Sequence, residues 1–226
     1  MQKKTHNPDK PVVLFGGSFN PVHRGHLAII RGLAALPDFD EVLVIPARKS
    51  PFKPGVDLLP DTLRYEMLSK CLAGMEKVSL LDVELRRPAP SYTMDTLKEL
   101  QGLRPGKAFF LALGWDAFEG FSRWHQAGAI LEACGLLVFG RAQMQQEMPE
   151  SLGEMTRWLP QPWASLAGPS GADSLSVPDG RVLMRLLALD LPAISARHIL
   201  SDRRIEAVPE QAQALLRDYW EHQKEG

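Results

Sequence analysis

The sequence predicts an α/β fold, a doubly wound parallel sheet with flanking helices and a small C-terminal helical part. Three observations predict it. Short apolar runs of strand length alternate with stretches of helical periodicity. The first strand candidate runs through two glycines directly into a helix. Among 226 residues, 45% are hydrophobic, enough for a sizeable buried core.

The elements follow in order. "PVVLF" (Pro11 to Phe15) reads as the first strand and "HLAIIRGLAAL" (His26 to Leu36) as the first helix. "EVLVIPA" is a second strand, bounded by the proline-rich "RKSPFKPGVDLLP". "DTLRYEMLSKCLAGM" is a helix with Asp61 as its expected N-cap. "KVSLLDVEL" is a third strand candidate, and "SYTMDTLKELQGL" a helix starting near Ser91. "KAFFLALG" is the next strand and leads into "WDAFEGFSRWHQAGAILEAC", read as two short helices. "GLLVFGR" (Gly135 to Arg141) is another buried strand. Residues 142–180 are rich in Gln, Pro, Gly and Ser with weak periodicity, which reads as an extended excursion or partly mobile loop rather than a second domain. An oligomer contact, a lid and a tolerated insertion remain open for it. "RVLMRLLALDLPAIS" resumes a strand, and "EQAQALLRDYWEHQKEG" is an amphipathic helix. Residues 1–226 are expected to form a single domain, with C-terminal helices from about 195.

The formal net charge of −1 gives no global field for nucleic acid or membrane surfaces, so any phosphate site is built locally. No apolar run approaches bilayer length, and "MQKKTHNPDK" lacks the apolar stretch of a signal peptide. Cys71 and Cys134 lie far apart in apolar contexts and read as buried free thiols. The expectation is a cytoplasmic protein, with monomer and homo-oligomer both open.

The chemistry concentrates in "LFGGSFNPVHRGHLAI" (Leu14 to Ile29). Gly16 and Gly17 allow close approach of a ligand and backbone conformations closed to other residues. Backbone N–H groups from Gly17 through Ser18 to Phe19 can point at phosphate oxygens. The helix start adds unpaired N–H groups and the positive end of its dipole. His23 and His26 stand at the entrance, where imidazoles can donate to phosphate oxygens and stabilise growing negative charge. The competing reading, two solvent-exposed loop residues, suits an isolated histidine better than this junction. No third ligand with suitable spacing lies near the pair, so no protein-held metal is expected.

"GGSFNPVHRGH" resembles the GGxFxPxHxGH signature of the HxGH nucleotidyltransferase superfamily, which implies a Rossmann-like sheet and nucleotidyl transfer. The blocks "SPFKP", "RYEML", "ELRRPAPSYTMDTL", "LGWD", "FSRWHQAGAILEACGLLVFGR" and "LPAIS" follow in order. Their succession is similar to the bacterial nicotinate mononucleotide adenylyltransferases. The resemblance implies ATP and nicotinate mononucleotide as substrates, with Gly16, Gly17, Ser18, Phe19, His23 and His26 at the ATP and the two histidines catalytic. It implies direct attack of a mononucleotide phosphate oxygen on the α-phosphorus of ATP, with Mg²⁺ held mainly by the ATP phosphates.

The remaining site residues each have a physical reading. "PSYT" places hydroxyls and N–H groups at a helix start, so Tyr92 and Thr93 suit an anionic pyridine carboxylate; Ser91 and Thr93 as plain caps is the alternative. Trp124 offers a flat face for a pyridinium ring, or is a core tryptophan. Asp116 suits a ribose hydroxyl or a helix cap, and Lys53 a mononucleotide phosphate or simple solvation. The family's C-terminal signature, ISSTxIR or ISATxIR, is matched here by "ISARHIL" (Ile194 to Leu200). Ser195 is retained, Arg197 replaces a hydroxyl residue and Leu200 the final arginine. Arg197 is the first choice to replace the missing cation; Arg203 and Arg204, expected on the same helical face as Leu200, are the others. Transfer to nicotinamide mononucleotide or another phosphate acceptor, and a non-catalytic nucleotide-binding protein, are the alternatives to this function.

Overall fold

The computed structural model describes residues 7, 9–52, 55–140, 152–171, 173–189, 191–192, 194 and 196–223, with the side chains of 196–198 excluded. Six strands run parallel: β1 (Val12–Gly17), β2 (Glu41–Pro46), β3 (Val78–Leu80), β4 (Phe109–Gly114), β5 (Gly135–Phe139) and β8 (Val182–Leu187). Two short antiparallel strands, β6 (Gly168–Pro169) and β7 (Ser174–Ser176), extend one edge. The order is β3-β2-β1-β4-β5-β8-β7-β6. Chain progression therefore reverses between β1 and β4, and that reversal opens a crevice at the carboxyl ends of the strands.

Both faces of the sheet are buried, which is why the strands are apolar at nearly every position. Val12 and Leu14 face one layer of the core, Val13 and Phe15 the other. The second layer is covered by α1 (Arg24–Ala34), α2 (Asp61–Leu72), α8 (Ala196–Ser201) and α9 (Glu210–His222) through Leu27, Ile30, Met67, Leu68, Ile199 and Leu216. The first layer is covered by α3 (Thr93–Leu103), α4 (Trp115–Phe118) and α5 (Ala127–Ala133) through Leu97, Leu100, Phe118 and Ile130. This is the expected doubly wound, Rossmann-like arrangement. Cys71 and Cys134 are buried free thiols, one in each layer, and burial pushes them up to about 11 and about 12.

Several local expectations change. Within 142–180, the described residues form α6 (Leu152–Met155), a 3-10 turn Thr156–Trp158, α7 (Trp163–Leu166), β6 and β7 rather than an extended loop. Met155, Leu159 and Leu175 are buried there, and Trp158 packs edge-on against Trp115 at 4.9 Å. Apolar residues at irregular spacing supply this burial, which a periodicity argument misses. Asp61 is the first residue of α2, not its cap; Pro60 takes the cap position. Its carboxylate bonds the Arg64 guanidinium at 2.6 Å instead. The third helix starts at Thr93, with Tyr92 as its N-cap. Helix α8 ends at Ser201, so Arg203 and Arg204 leave the helical face of Leu200. Arg203 adopts φ 51° and lays its guanidinium 5.5 Å from the Trp220 ring centre, while Arg204 pairs with Asp202 at 3.4 Å.

Candidate active site

The carboxyl end of β1 turns through Ser18 to Asn20 and enters α1. His23 is the N-cap, with extended backbone, and His26 is the third helical residue. The His26 N–H donates to His23 Nδ1 at 3.3 Å, and the His23 N–H donates to His26 Nδ1 at 3.2 Å. This is a reciprocal capping box built from two imidazoles. Because both Nδ1 atoms accept, the neutral rings carry their proton on Nε2, which makes each ring a hydrogen-bond donor there. The rings stack at 3.7 Å, and His23 is only 4% exposed. They are structural parts of the helix start, not exposed loop residues.

Gly25 lies between them because a Cβ there would come within 3.0 Å of His23 Nδ1 and 3.8 Å of the Pro192 carbonyl oxygen. At Gly32 a Cβ would lie 2.8 Å from Leu189 Cδ2. Leu189 and Pro192 thus lie against α1, at Gly32 and Gly25. The expected glycine conformations are not found: neither Gly16 nor Gly17 has positive φ, and the left-handed residue of the turn is Phe19, at φ 43°. Its buried ring packs 4.8 Å from His26 and 5.7 Å from Phe15, and this packing holds the unfavourable backbone. Gly17 leaves room for that ring, 3.4 Å from where a Cβ would be.

A cavity of about 750 Å³ opens in the crevice between β1 and β4. Gly16, Gly17 and Ser18 line one side, Ser91, Tyr92 and Thr93 another, and Asp116 and Trp124 a third. Its lining does not include His23 or His26, which lie at the head of α1 after the turn that leaves the lining residue Ser18. Trp124 is half-buried, with Phe52 at 5.5 Å and Phe121 at 5.4 Å between ring centres. The Tyr92 and His125 rings lie 4.5 Å apart. Asp116 is exposed in the first turn of α4, and its carboxylate folds back over Gly114, where a Cβ would lie 2.6 Å from Oδ1.

Two buried ionisable side chains brace these walls. Arg64, fully buried, donates to the carbonyls of Ser18 (2.6 Å), Ala47 (2.8 Å) and Leu59 (3.1 Å) while pairing with Asp61. It ties the turn after β1 to the loop after β2. Glu84 lies at the cavity wall, where burial pushes its carboxyl up; the hydroxyls of Thr96 and Ser91 and the Arg87 charge oppose that shift. The Thr96 hydroxyl donates to Glu84 Oε1 at 2.7 Å, which anchors the wall to α3.

Of the residues singled out in the sequence, Gly16, Gly17, Ser18, Tyr92, Thr93, Asp116 and Trp124 meet at this one cavity. Lys53 and Ser195 lie outside the described residues, and Arg197 is described only as the second residue of α8. Among the described residues no three His, Cys, Asp or Glu side chains gather to hold a metal ion. No helix among them is long and apolar enough to cross a membrane.

The Cytidylyltransferase-like family model matches residues 14–196. The chain belongs to this family. A protein named "Probable nicotinate-nucleotide adenylyltransferase" from Pseudomonas aeruginosa is 35% identical over 165 residues, covering 72% of this chain and 76% of that one. One of the same name from Coxiella burnetii is 41% identical over 129 residues, covering 57% and 60%. A structure of Plasmodium falciparum nicotinic acid mononucleotide adenylyltransferase complexed with NaAD superposes with a TM-score of 0.70 at 16% identity. It covers 93% of this chain and 96% of the other, and this likeness bears on the fold.

For a Cytidylyltransferase-like chain the motifs do not single out several cavity-lining residues, among them Phe52, Glu84 and Arg123. All three lie in blocks quoted for their resemblance. Glu84, seven residues before Ser91, carries no local signal, because its partners come from α3. Arg123 is one position before Trp124 in an exposed turn, where an arginine reads as solvated surface.

Proposed function

We propose that this chain transfers the adenylyl group of ATP to nicotinate mononucleotide, giving nicotinic acid adenine dinucleotide and pyrophosphate in NAD biosynthesis. The observation that carries the reading is the imidazole capping box at the head of α1, together with a cavity walled by Trp124 and the start of α3. A phosphate oxygen of the mononucleotide attacks the α-phosphorus of ATP. The new P–O bond forms as the bond to the β-phosphate bridging oxygen breaks, and the electron pair leaves with pyrophosphate. The nucleophile is already an anion, so the protein's contribution is positioning and charge stabilisation.

The N–H groups of Gly17, Ser18 and Phe19 and the first turn of α1 receive the triphosphate, with Gly16 allowing its approach. His23 and His26 donate from Nε2 to phosphate oxygens whose charge grows in the transition state. Ser195 and Arg197 serve the triphosphate, and Lys53 the mononucleotide phosphate. Tyr92 and Thr93 receive the pyridine carboxylate at the start of α3, Trp124 stacks on the ring, and Asp116 binds a ribose hydroxyl. Mg²⁺ would be held mainly by the ATP phosphates, where it would neutralise part of their charge. The reaction is assigned to the cytoplasm.

Pyrophosphate release tests this directly. With ATP and Mg²⁺, the chain is expected to turn over nicotinate mononucleotide faster than the nicotinamide form, and phosphopantetheine not at all. Binding of ATP with no pyrophosphate from any acceptor would overturn the reading in favour of a non-catalytic nucleotide-binding protein.

A further inference from the structure

Two carboxyl side chains line the cavity, and only Glu84 of the two is buried; Asp116 is exposed. The proposed reaction gives Asp116 a task and Glu84 none. The hydrogen bonds around Glu84 supply one. The Thr96 hydroxyl, itself buried, donates to Glu84 Oε1 at 2.7 Å, and the Ser91 hydroxyl also bonds the Glu84 carboxyl. Each hydroxyl receives a donor on its other side. The Arg48 N–H donates to Ser91 Oγ at 3.1 Å, and the Arg87 guanidinium donates to Thr96 Oγ1.

A hydroxyl has one proton to give. With donors already aimed at their oxygens, Ser91 and Thr96 both direct that proton to Glu84. The Tyr92 carbonyl, a second acceptor for Thr96, lies farther off at 3.4 Å. A carboxylate suits this arrangement because it accepts at both oxygens and has no proton of its own to place. The bonds also reach across the crevice. The Ser91 N–H donates to the Lys49 carbonyl at 2.9 Å, and the Arg48 guanidinium donates to the Arg87 carbonyl at 3.0 Å. Arg87 is held in turn by Glu99 of α3 at 3.3 Å. Glu84 therefore stands where three segments join: the loop after β2, its own stretch after β3, and the first turn of α3. All three contribute to the cavity wall, through Ser50, Glu84 and Thr93.

We propose that Glu84 is a positioning residue: through Ser91 and Thr96 its carboxylate fixes the start of α3 against the loop after β2, and so shapes the wall that receives the mononucleotide. The inference rests on the proposed adenylyl transfer and deepens it. Glu84 acts through the two hydroxyls, not by touching the substrate.

The test is steady-state kinetics on the full chain with ATP, Mg²⁺ and nicotinate mononucleotide. Glu84→Gln keeps the side-chain shape but turns one acceptor into an NH₂ donor, facing a hydroxyl that already has a donor. It is expected to raise the KM for the mononucleotide about tenfold, with kcat and the KM for ATP within about threefold of wild type. Thr96 lies outside the cavity lining. Thr96→Val removes its hydroxyl and should raise the same KM about fivefold. Because the two side chains act through one bond, the double variant should exceed Glu84→Gln by no more than about twofold. An unchanged mononucleotide KM in Glu84→Gln would overturn the proposal. So would a raised KM there beside an unchanged one in Thr96→Val, since Glu84 would then touch the mononucleotide itself. Parallel losses in kcat and both KM values would mean a general loss of structure and also overturn it. Thermal melts report the folded fraction of each variant; if Glu84→Gln does not fold, the mononucleotide KM of Thr96→Val decides alone. Wild-type turnover is measured first. Its absence would overturn the adenylyl transfer and this inference together, whereas the other outcomes bear on this inference alone.

Discussion

His26 performs two jobs that can be separated at the level of one side chain. It closes the cap of α1 through Nδ1, and under the proposed function it donates to phosphate through Nε2. His26→Gln keeps a side chain at the third helical position that can reach back to the cap N–H. Its melting temperature should stay within about 2 °C of wild type, while turnover falls by about 10²- to 10³-fold. His26→Ala should lose the same turnover and, in addition, about 1 kcal/mol of stability with the cap. Thermal melts beside pyrophosphate assays check both. Equal melting temperatures for the two variants would remove the structural role. Gly25 explains its own place in the motif: any side chain there meets the His23 ring.

Elements meet at Arg64. It belongs to α2, yet its hydrogen bonds reach Ser18 after β1 and Ala47 after β2, so one buried charge sets the spacing of two loops bordering the cavity. Arg64→Met leaves these carbonyls without their donor and Asp61 without its nearer cation. The expected cost is about 3–5 kcal/mol, a drop of roughly 6–20 °C in melting temperature. Arg64→Lys should recover little, because an ammonium cannot reproduce the planar fork that spans three carbonyls. Differential scanning calorimetry of the two variants decides it: a Lys variant equal to wild type would mean that charge alone suffices.

The whole molecule is a sheet with one thiol buried in each of its two covering layers. Cys134 lies among the residues facing α3 and α5, Cys71 among those facing α1 and α9. Burial raises both thiols, to about 12 and about 11, so neither forms an accessible thiolate near neutral pH in the folded chain. If residues 1–226 unfold as one domain, pulse alkylation across a denaturant series should label both cysteines with the same midpoint. Separate midpoints, read by mass spectrometry, would mean that the two layers open independently.

Much of this was legible in the sequence. The alternation of apolar runs and helical periods determined a parallel, doubly wound sheet, because strands buried on both faces must be apolar throughout. The glycine–histidine junction determined where the strand ends and α1 begins, because the turn and its imidazole cap are encoded within a dozen consecutive residues. Tertiary structure decided what depends on residues distant in the chain. It moved the strained backbone from the glycines to Phe19, since packing against Phe15 and His26 sets that conformation. It ended α8 before Arg203, whose guanidinium is drawn to Trp220 on another helix. It folded 152–171 onto Trp115 and brought Glu84 and Arg123 to the cavity wall. Local pattern records a residue's own periodicity and caps. The partners of a buried charge are fixed only when distant segments pack together.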